Sequence, residues 1–354
     1  MKITEIDKNF AVETNIKRDN VVFYNIDDEP FRIYGVYRDG DKYRRLPSEV
    51  ASQTVDDRVA ALSMNTAGGR VRFVTDSPYV IVKVFSPAPD PVPHFALCGM
   101  AGVDMYVNFG DGERYRKTFL PPINFTDSFD GVYDFGDSVP VRTVTLNLPL
   151  YNDVFSIFVG IKEGSRLEEA PDYAIESPVL FYGSSITQGG CASRPGMSYE
   201  AMLSRRLDMN FINLGFSGSA KGDGVIAEYI ASLNLSAFVY DYDHNATTPE
   251  DLERTHKPFF DIIREKQPTL PIIIMPKPRY YRAEIEARRS GIVRATYEAA
   301  LAAGDKNVYF IDGPELMAQV LDDGTVDGVH PTDVGFKSMA DAIAPVLEKI
   351  FKNK

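Results

Sequence analysis

The sequence predicts an α/β fold that is built on a doubly wound parallel sheet and preceded by an antiparallel β-sandwich. Period-two alternation of apolar residues dominates the chain before about residue 165, and strand–helix alternation dominates it afterwards. The length of 354 residues exceeds one ordinary domain and suits two. Residues 163–171 are charged and poor in large apolar side chains, so we expect domains at 1–168 and 169–354.

The first half of the chain has the pattern of short antiparallel strands. Alternating apolar residues occur in several runs, at residues 80–84, 105–109, 144–148 and 155–161. Turn-forming clusters rich in Asp, Gly, Ser and Pro separate these runs, which is typical of a β-sandwich. One helix is predicted at 47–62, where Ser48 is placed to cap the first turn.

The second half has the pattern of parallel strands that alternate with helices. Short, continuous apolar runs predict five strands covered on both faces, at residues 179–182, 211–214, 237–240, 272–275 and 308–311. Thr248 and Pro249 mark the start of one helix, and a second is predicted at 283–303. The last helix begins near Thr332 or Asp333. Five such strand–helix units give a doubly wound sheet.

The first of these strands ends in a serine turn, Gly183-Ser184-Ser185. A serine held just past a strand end can present its hydroxyl and its backbone N–H in one direction. That arrangement suits a nucleophile beside an oxyanion site. Serine is also common in turns that have no catalytic role, and this alternative stays open at this point.

Near the end of the chain an aspartate precedes a histidine by three residues. Gly328 and Pro331 close the turn that contains Asp327 and His330. The carboxylate of Asp327 can fold back onto the imidazole, which leaves the second ring nitrogen able to take a proton from a serine. The alternative interpretation is a helix-capping aspartate followed by a solvated histidine.

Polar loops follow four of the five predicted strands, at residues 183–190, 213–219, 241–246 and 326–332. Because the ligands of such sheets bind beyond the carboxyl ends of the strands, we expect these loops to meet at one edge. We therefore predict that a serine hydroxyl of the first loop and the His330 imidazole lie within hydrogen-bonding distance.

Taken together, the four loops resemble the sequence blocks of the SGNH, or GDSL-like, hydrolase superfamily. The resemblance covers about residues 179–351 and identifies Ser185 as the nucleophile, with Ser184 where the family usually has Asp. The family's glycine falls on Gly218. The resemblance implies a flavodoxin-like sheet of five parallel strands. The N-terminal half resembles the jelly-roll-like sandwich that precedes it in a branch of GDSL-type acylhydrolases.

The last two blocks complete the site that the resemblance implies. The family's asparagine falls on Asn245, although the usual Gly-x-Asn-Asp frame is replaced by Asp-His-Asn-Ala. Asp327 and His330 match the final block, so the implied triad is Ser185, His330 and Asp327. The implied oxyanion hole consists of the N–H groups of Ser185 and Gly218 and the side-chain amide of Asn245.

The resemblance implies a serine esterase that hydrolyses small acyl esters, acetyl esters above all, on carbohydrates. An acyltransferase would use the same triad with a hydroxyl acceptor in place of water. A non-catalytic carbohydrate-binding protein with a vestigial site is a third interpretation. The expected partner is a small-molecule or oligosaccharide ester, and neither a cofactor nor a metal is expected.

Five further residues in or near the strand-end loops are candidates for substrate contacts. His244 can contact the substrate or remain an ordinary loop histidine. Because the chain has no tryptophan, a sugar platform must use Phe or Tyr, and Phe216 and Tyr242 are candidates, although such residues are more often in the core. Lys277 and Arg279 follow the fourth strand and can meet an anionic group or stay solvated.

The composition limits the expected partners and location. A formal net charge of −12 argues against nucleic acid and anionic membrane surfaces, because phosphate binding needs a positive surface. The two cysteines form no disulfide framework. Residues 1–10 lack the apolar core of a signal peptide, and no apolar run approaches the about 18 residues of a membrane-spanning helix. A cytoplasmic protein is the simplest expectation, while an already removed signal peptide and homo-oligomerisation stay open.

Overall fold

The computed structural model describes residues 14–136 and 140–352, which form two compact units that interleave along the chain. The first unit comprises the chain up to Arg44, Met64–Asp172 and Arg194–Gly196, and the second comprises Arg45–Ser63, Tyr173–Ser193 and the chain from Met197. The division into domains 1–168 and 169–354 stays a prediction. The interpretation of residues 1–10 lies outside the described residues.

The strands of the first unit pair in an antiparallel manner. They are β1 (Val21–Asn25), β2 (Arg32–Tyr34), β3 (Tyr37–Asp39), β4 (Lys42–Arg44), β5 (Arg70–Thr75), β6 (Tyr79–Phe85), β7 (Val103–Asn108), β8 (Glu113–Phe119), β9 (Ser128–Asp134), β10 (Arg142–Asn147), β11 (Ser156–Lys162) and β12 (Leu167–Glu168). One sheet has the order β1-β11-β6-β9. The other has the order β12-β5-β10-β7-β8, with β2 also paired to β5, and β3 and β4 form a hairpin.

The hydrophobic core of the first unit contains side chains from both of its larger sheets. Val80, Val82 and Val84 of β6 are fully buried together with Val144 and Leu146 of β10. Alternate residues of a strand share a face, so the period-two pattern directs these side chains inward. The predicted antiparallel sandwich is therefore confirmed.

A parallel five-stranded sheet forms the centre of the second unit. Its strands are β13 (Ile175–Gly183), β14 (Met209–Gly215), β15 (Ala237–Asp241), β16 (Ile272–Ile274) and β17 (Val308–Phe310), in the order β14-β13-β15-β16-β17. Every neighbouring pair is parallel. The strand order reverses beside β13, so the crevice that such sheets use for ligands opens at its carboxyl end. The predicted flavodoxin-like sheet is confirmed.

Helices follow the parallel strands, as the sequence predicts. The helices of the described chain are α1 (Ser48–Ala51), α2 (Arg58–Leu62), α3 (Leu97–Ala101), α4 (Ser185–Gln188), α5 (Tyr199–Leu207), α6 (Gly224–Ser232), α7 (Pro249–Lys266), α8 (Glu284–Ala302), α9 (Gly313–Leu316) and α10 (Asp333–Lys352), with 3-10 turns at Pro195–Met197 and Leu321–Gly324. Thr248 caps α7, because its hydroxyl accepts a hydrogen bond from the N–H of Asp251 at 3.1 Å. A search of the described residues finds no helix with the length and apolar content needed to cross a bilayer.

The predicted single helix at 47–62 is wrong, because α1 and α2 are separated by a turn. The hydroxyl of Thr54 donates to the carbonyl of Ala51 at 2.8 Å, and the carboxylate of Asp56 accepts from the N–H of Arg58 at 3.1 Å. Such side-chain bonds to the backbone compete with the helical hydrogen bonds. The segment belongs to the second unit, and Val59 is fully buried in the core of that unit.

Candidate active site

Ser185 opens the four-residue helix α4 directly after β13. The strand ends at Gly183, and the hydroxyl of Ser184 caps α4 by accepting a hydrogen bond from the N–H of Ile186 at 3.2 Å. Gly189 ends the helix in the left-handed conformation, with φ of 96°. These caps produce a sharp turn from strand to helix, which holds Ser185 at the carboxyl edge of the sheet.

Two glycines allow α4 to pack directly on the ends of the strands. A Cβ atom at Gly183 would lie 2.2 Å from Oγ1 of Thr187 and 2.3 Å from the carbonyl oxygen of Asp241. A Cβ atom at Gly215 would lie 2.2 Å from the backbone nitrogen of Gln188. Both strand ends therefore need glycine, since any side chain would push α4 away from the sheet.

The structure brings Ser185 and His330 into contact. Ser185 Oγ lies 2.8 Å from His330 Nε2, and His330 Nδ1 lies 2.8 Å from Oδ2 of Asp327. An ionised carboxylate only accepts hydrogen bonds, so Nδ1 carries the proton and Nε2 accepts from the serine hydroxyl. The three side chains form a continuous hydrogen-bonded chain along which the serine proton can pass to the imidazole.

The carboxylate of Asp327 is fixed by its own turn. Its Oδ1 accepts hydrogen bonds from the backbone N–H groups of Val329 and His330, at 2.9 and 2.8 Å. Desolvation raises the pKa of Asp327, but these bonds and the one from the His330 ring outweigh it and hold the pKa well below its ordinary value. Asp327 is therefore ionised at neutral pH, as an orienting acid must be.

The other two predicted oxyanion donors lie on the loops that flank the serine turn. Gly218 follows β14 with φ of 68°, and its carbonyl accepts from Arg58 at 3.2 Å. Asn245 follows β15, and its carbonyl accepts from Lys221 at 2.6 Å. The side-chain Oδ1 of Asn245 is buried, and no group in the described part of the chain donates to it. Because β14 and β15 are the two neighbours of β13, both loops lie beside Ser185.

His244 lies at a recess of about 200 Å³ that we call the β15–β16 recess. Side chains from the loop after β15, the loop after β16 and the first turns of α8 line it. Burial, together with the nearby positive charges of Lys277 and Arg289, lowers the pKa of His244 to about 4. The imidazole of His244 is therefore neutral at pH 7.

Lys277 and Arg279 line the same recess, and neither is simply solvated. Nζ of Lys277 lies 3.0 Å from Oε1 of Glu286. Nε of Arg279 lies 3.3 Å from the carboxylate of Asp322, and Nη1 donates to the carbonyl of Gly328. The last bond connects the recess to the turn that carries the histidine of the candidate triad.

Phe216 and Tyr242 both lie in the hydrophobic core, which corrects the proposed role of Phe216 as a sugar platform, while the role of Tyr242 stays a prediction. Their exposed fractions are 0% and 1%. Tyr242 directs its hydroxyl to Oγ1 of Thr255 at 2.8 Å, and its ring lies against that of Tyr182. A stacking platform must expose a ring face, and Phe216 exposes none, whereas Tyr242 also borders a cavity of about 910 Å³.

Two groups that support the site were not found from the sequence. Arg289 of α8 donates to the carbonyls of Asp243 and Ala246, at 2.8 and 2.9 Å, and so fixes the loop after β15. Asp241 accepts a hydrogen bond from Thr187 of α4 at 2.9 Å, and burial raises its pKa well above the ordinary value. Asp241 could have been found from the sequence, because it lies at the end of a predicted strand. Arg289 could not, because it contacts a loop 46 residues earlier in the chain.

Two family models match the chain. Residues 176–348 match the GDSL-like Lipase/Acylhydrolase family, and residues 21–167 match the family described as "N-terminus of Esterase_SGNH_hydro-type". A curated relative, GDSL lipase Rv0518 from Mycobacterium tuberculosis, is 30% identical over 105 residues. That match covers 28% of this chain and 42% of the relative, so the chain spans less than half of the relative's length.

Solved structures resemble nearly the whole chain. A candidate GDSL-like lipase from Bacteroides ovatus is 28% identical with a TM-score of 0.84, covering 94% of this chain and 98% of that one. The salicylyl-acyltransferase SsfX3 from a tetracycline biosynthetic pathway is 20% identical with a TM-score of 0.76, covering 94% and 98%. A family two carbohydrate esterase from Clostridium thermocellum, in complex with cellohexaose, is 15% identical with a TM-score of 0.63, covering 91% and 99%. The last two share the fold.

Proposed function

This chain belongs to the GDSL-like lipase and acylhydrolase family of carboxylic ester hydrolases, and from that premise we propose that it is a serine esterase for small acyl esters of carbohydrates. The proposed catalytic residues are Ser185, His330 and Asp327. The observation that carries the proposal is their unbroken hydrogen-bonded chain, with 2.8 Å at both contacts. A nucleophile, its base and an orienting acid require this geometry.

The proposed reaction consists of two acyl transfers. His330 Nε2 takes the proton of Ser185 Oγ as Oγ bonds to the ester carbonyl carbon. The bond from that carbon to the alcohol oxygen then breaks, the alcohol takes the proton from His330, and the acyl group stays on Ser185. Water next loses a proton to His330 and attacks the acyl carbon, which releases the carboxylic acid and restores the serine. Asp327 stabilises the positive imidazolium in both transfers.

We propose that the N–H groups of Ser185 and Gly218 and the side-chain amide of Asn245 stabilise the oxyanion. The loops of Gly218 and Asn245 follow the two strands that neighbour β13, which supports a single oxyanion as the target of all three donors. Hydrogen bonds from Arg58 and Lys221 to the backbone fix both loops without occupying these donors. Fixed donors aimed at the developing charge need no reorganisation during the reaction.

The polar surroundings support a hydroxyl-rich alcohol and a short acyl group. A cavity of about 910 Å³ lies beside the loops of Gly218 and Asn245. Its lining includes the charged side chains of Asp56, Arg58 and Lys221, two of which bond to those loops. A long acyl chain would need an apolar channel, since burial of apolar surface is what binds it. We propose acetylated sugars as substrates because the charged side chains of this lining can form hydrogen bonds with sugar hydroxyls.

A hydrolysis screen tests the proposed function. The protein is given acetylated mono- and oligosaccharides and 4-nitrophenyl esters of increasing chain length, and we expect kcat/KM to fall as the acyl chain lengthens. Ser185→Ala should lose both turnover and labelling by a fluorophosphonate probe, whereas Ser232→Ala, which changes an exposed hydroxyl on α6, should keep both. Unchanged turnover in Ser185→Ala would refute the nucleophile. An unlabelled unmodified protein would favour the carbohydrate-binding alternative.

An acyltransferase is the second candidate, because a substrate hydroxyl can replace water in the second transfer. The fold shared with a salicylyl-acyltransferase, at a TM-score of 0.76, makes this candidate worth testing. Products are analysed with and without a polyol acceptor. An acylated acceptor that forms faster than the free acid would identify a transferase, and free acid alone would identify a hydrolase.

A further inference from the structure

The β15–β16 recess of this strongly acidic protein is lined by one lysine and three arginines. Its lining contains four cationic side chains, of which Lys277 pairs with Glu286, Arg279 with Asp322 and Arg282 with Asp312, whereas no ion pair to a carboxylate is formed by Arg289 within the described residues. The whole chain has a formal net charge of −12. Charges within a few ångströms dominate over distant, screened ones, so the guanidinium of Arg289 can attract an anion in spite of the negative total.

The arginines of the recess keep hydrogen-bond donors available to a ligand. A guanidinium has five N–H donors in a planar fork. Arg279 uses its Nε and Nη1 on two backbone carbonyls, and Arg289 uses its two Nη atoms on two others. Among the described residues, Arg289 forms no ion pair with a carboxylate. Its charge is therefore not neutralised by a direct partner.

His244 contributes a neutral imidazole to the same recess. Its ring forms no hydrogen bond with any residue of the described chain, and its pKa is lowered to about 4. A neutral imidazole has one donor and one acceptor. It can thus bind an anionic oxygen or a neighbouring hydroxyl of the same ligand.

The recess adjoins the proposed catalytic residues. Arg279 donates to the carbonyl of Gly328, in the turn that carries His330. His244 immediately precedes Asn245, one of the proposed oxyanion donors. A group bound in the recess therefore lies beside the ester that Ser185 attacks.

We propose that this recess binds an oxyanion of the substrate, a carboxylate or a phosphate carried by the alcohol part of the ester. The inference rests on the proposed esterase function and narrows its substrates to acyl esters of acidic sugars or other anionic alcohols. Guanidinium groups match the paired oxygens of both anions. The recess has a volume of about 200 Å³, several times the volume of about 30 Å³ that one water molecule occupies in the liquid. It is therefore large enough for a carboxylate or a phosphate group.

Matched aryl acetates test this proposal. 4-Acetoxybenzoate and 4-acetoxyphenyl phosphate carry the two anions, and 4-acetoxybenzamide is the neutral counterpart. Each kcat/KM is divided by the rate of alkaline hydrolysis of the same ester, which corrects for leaving-group reactivity. We expect at least one anionic ester to exceed the neutral one by about tenfold, the effect of one charge-assisted hydrogen bond. The preference should shrink at about 1 M salt, where the Debye length is about 3 Å.

Two lysine variants test whether the preference for anionic esters arises in the β15–β16 recess. Lys277→Gln should reduce the anionic-to-neutral ratio by about threefold to tenfold. Lys257→Gln removes the same charge from the exposed side of α7, where Lys257 pairs with Asp261, and should leave the ratio unchanged. A ratio near one in the unmodified protein, or a ratio that Lys277→Gln does not alter, would overturn the proposal.

Failure of the esterase function is distinguishable from failure of the anion site. If none of the three esters is hydrolysed, the proposed function fails and binding is measured directly by calorimetry, with 4-hydroxybenzoate and 4-hydroxybenzamide as ligands. Tighter binding of the benzoate, weakened by Lys277→Gln, supports the recess as an anion site. Equal affinity for the two ligands overturns it.

Discussion

Asp327 contacts three donors with two oxygens, and this local geometry has a measurable consequence. In Asp327→Asn the side-chain amide could place either its oxygen or its nitrogen against His330 Nδ1. The imidazole would then no longer be held in a single tautomer. We expect kcat for aryl acetate hydrolysis to fall by about 10⁴-fold with little change in KM. Asp323→Asn, an exposed aspartate in the preceding 3-10 turn, is the matched control and should keep full activity. A kcat within tenfold of the unmodified protein would contradict the assigned role of Asp327.

Asn245 gives a second prediction at the scale of single residues. Asn245→Ala removes one proposed oxyanion donor and leaves the backbone carbonyl that accepts from Lys221. We expect kcat to fall by about 100- to 1000-fold, as for other single donors. Asn234→Ala, at an exposed position that bonds to Ser177, should have no effect on kcat. If Asn245→Ala raised KM and left kcat intact, Asn245 would be a binding residue instead.

The residues that could be predicted are those whose partners lie close in sequence or follow a strand end. Asp327 and His330 are three residues apart and a serine turn follows a short apolar run, so local spacing indicates both loops, while the choice of Ser185 over Ser184 comes from the family resemblance. Arg289 could not be found, because its acceptors are backbone carbonyls and any long side chain on α8 looks alike in sequence. Phe216 was misplaced because an aromatic residue after a strand can lie either in the core or at the surface.

Helix α4 depends on the glycine at the end of β13, and this contact can be tested at the scale of the element. In Gly183→Ala the new Cβ would lie 2.2 Å from Oγ1 of Thr187, so α4 must shift from the sheet. We expect the free energy of unfolding to fall by about 1–3 kcal/mol, the usual cost of overpacking, together with loss of activity. Gly291→Ala is the matched control, since a Cβ there has nothing within 4 Å and α8 should gain about 0.5–1 kcal/mol. Urea unfolding measures the free energy of unfolding of both variants. Equal stability of Gly183→Ala and Gly291→Ala would contradict the requirement for glycine at the end of β13.

Helix α7 carries a buried histidine that makes the fold sensitive to acid. Nδ1 of His256 lies 2.8 Å from Oγ1 of Thr296, and burial lowers the pKa of His256 to about 3. The folded state binds this proton less readily than the unfolded state, so stability falls as pH drops below the unfolded pKa of about 6.5. The contribution of His256 to this loss is about 2 kcal/mol at pH 5. Urea unfolding should show that the free energy of unfolding decreases less from pH 7 to pH 5 in His256→Gln than in the unmodified protein. An equal decrease in the two proteins would contradict the assignment of this acid sensitivity to His256.

At this scale the long elements of the parallel sheet could be predicted, while the short helices could not. The strand β13 and the helix α10 follow from dense apolar patterns, which tertiary contacts reinforce. The segment at 47–62 also has a helical pattern, but the side chains of Thr54 and Asp56 bond to the backbone and interrupt it. Whether such bonds form depends on the rest of the second unit, which the local sequence does not contain.

The interleaved units give a prediction for the whole molecule. Arg45 belongs to the second unit and donates to the carbonyls of Asn213 and Gly215 at 3.0 and 2.8 Å, while Leu46 and Val59 are fully buried in its core. A fragment of residues 169–354 lacks Arg45, Leu46 and Val59. Each large buried side chain that is lost costs about 2–5 kcal/mol, so the fragment should unfold at lower urea concentration than the full chain, or without cooperativity. Cooperative unfolding of the fragment at the midpoint of the full chain would contradict this assignment.

The two-part organisation could be predicted from the change of pattern near residue 165, and the interleaving could not. The predicted boundary rests on composition along the chain, whereas membership in a unit rests on which core a segment enters. Residues 45–63 are apolar enough to enter either core, and only the folded contacts decide between them.

The early position of residues 45–63 also affects how the protein is made. The segment leaves the ribosome before the rest of the second unit, and over a hundred further residues must be translated before β13, the first strand of its core, emerges. At about 5–20 residues per second this delay lasts roughly 5–20 seconds. During that interval Leu46 and Val59 lack the parallel sheet that they pack on, so this stretch is where we expect a ribosome-associated chaperone to bind.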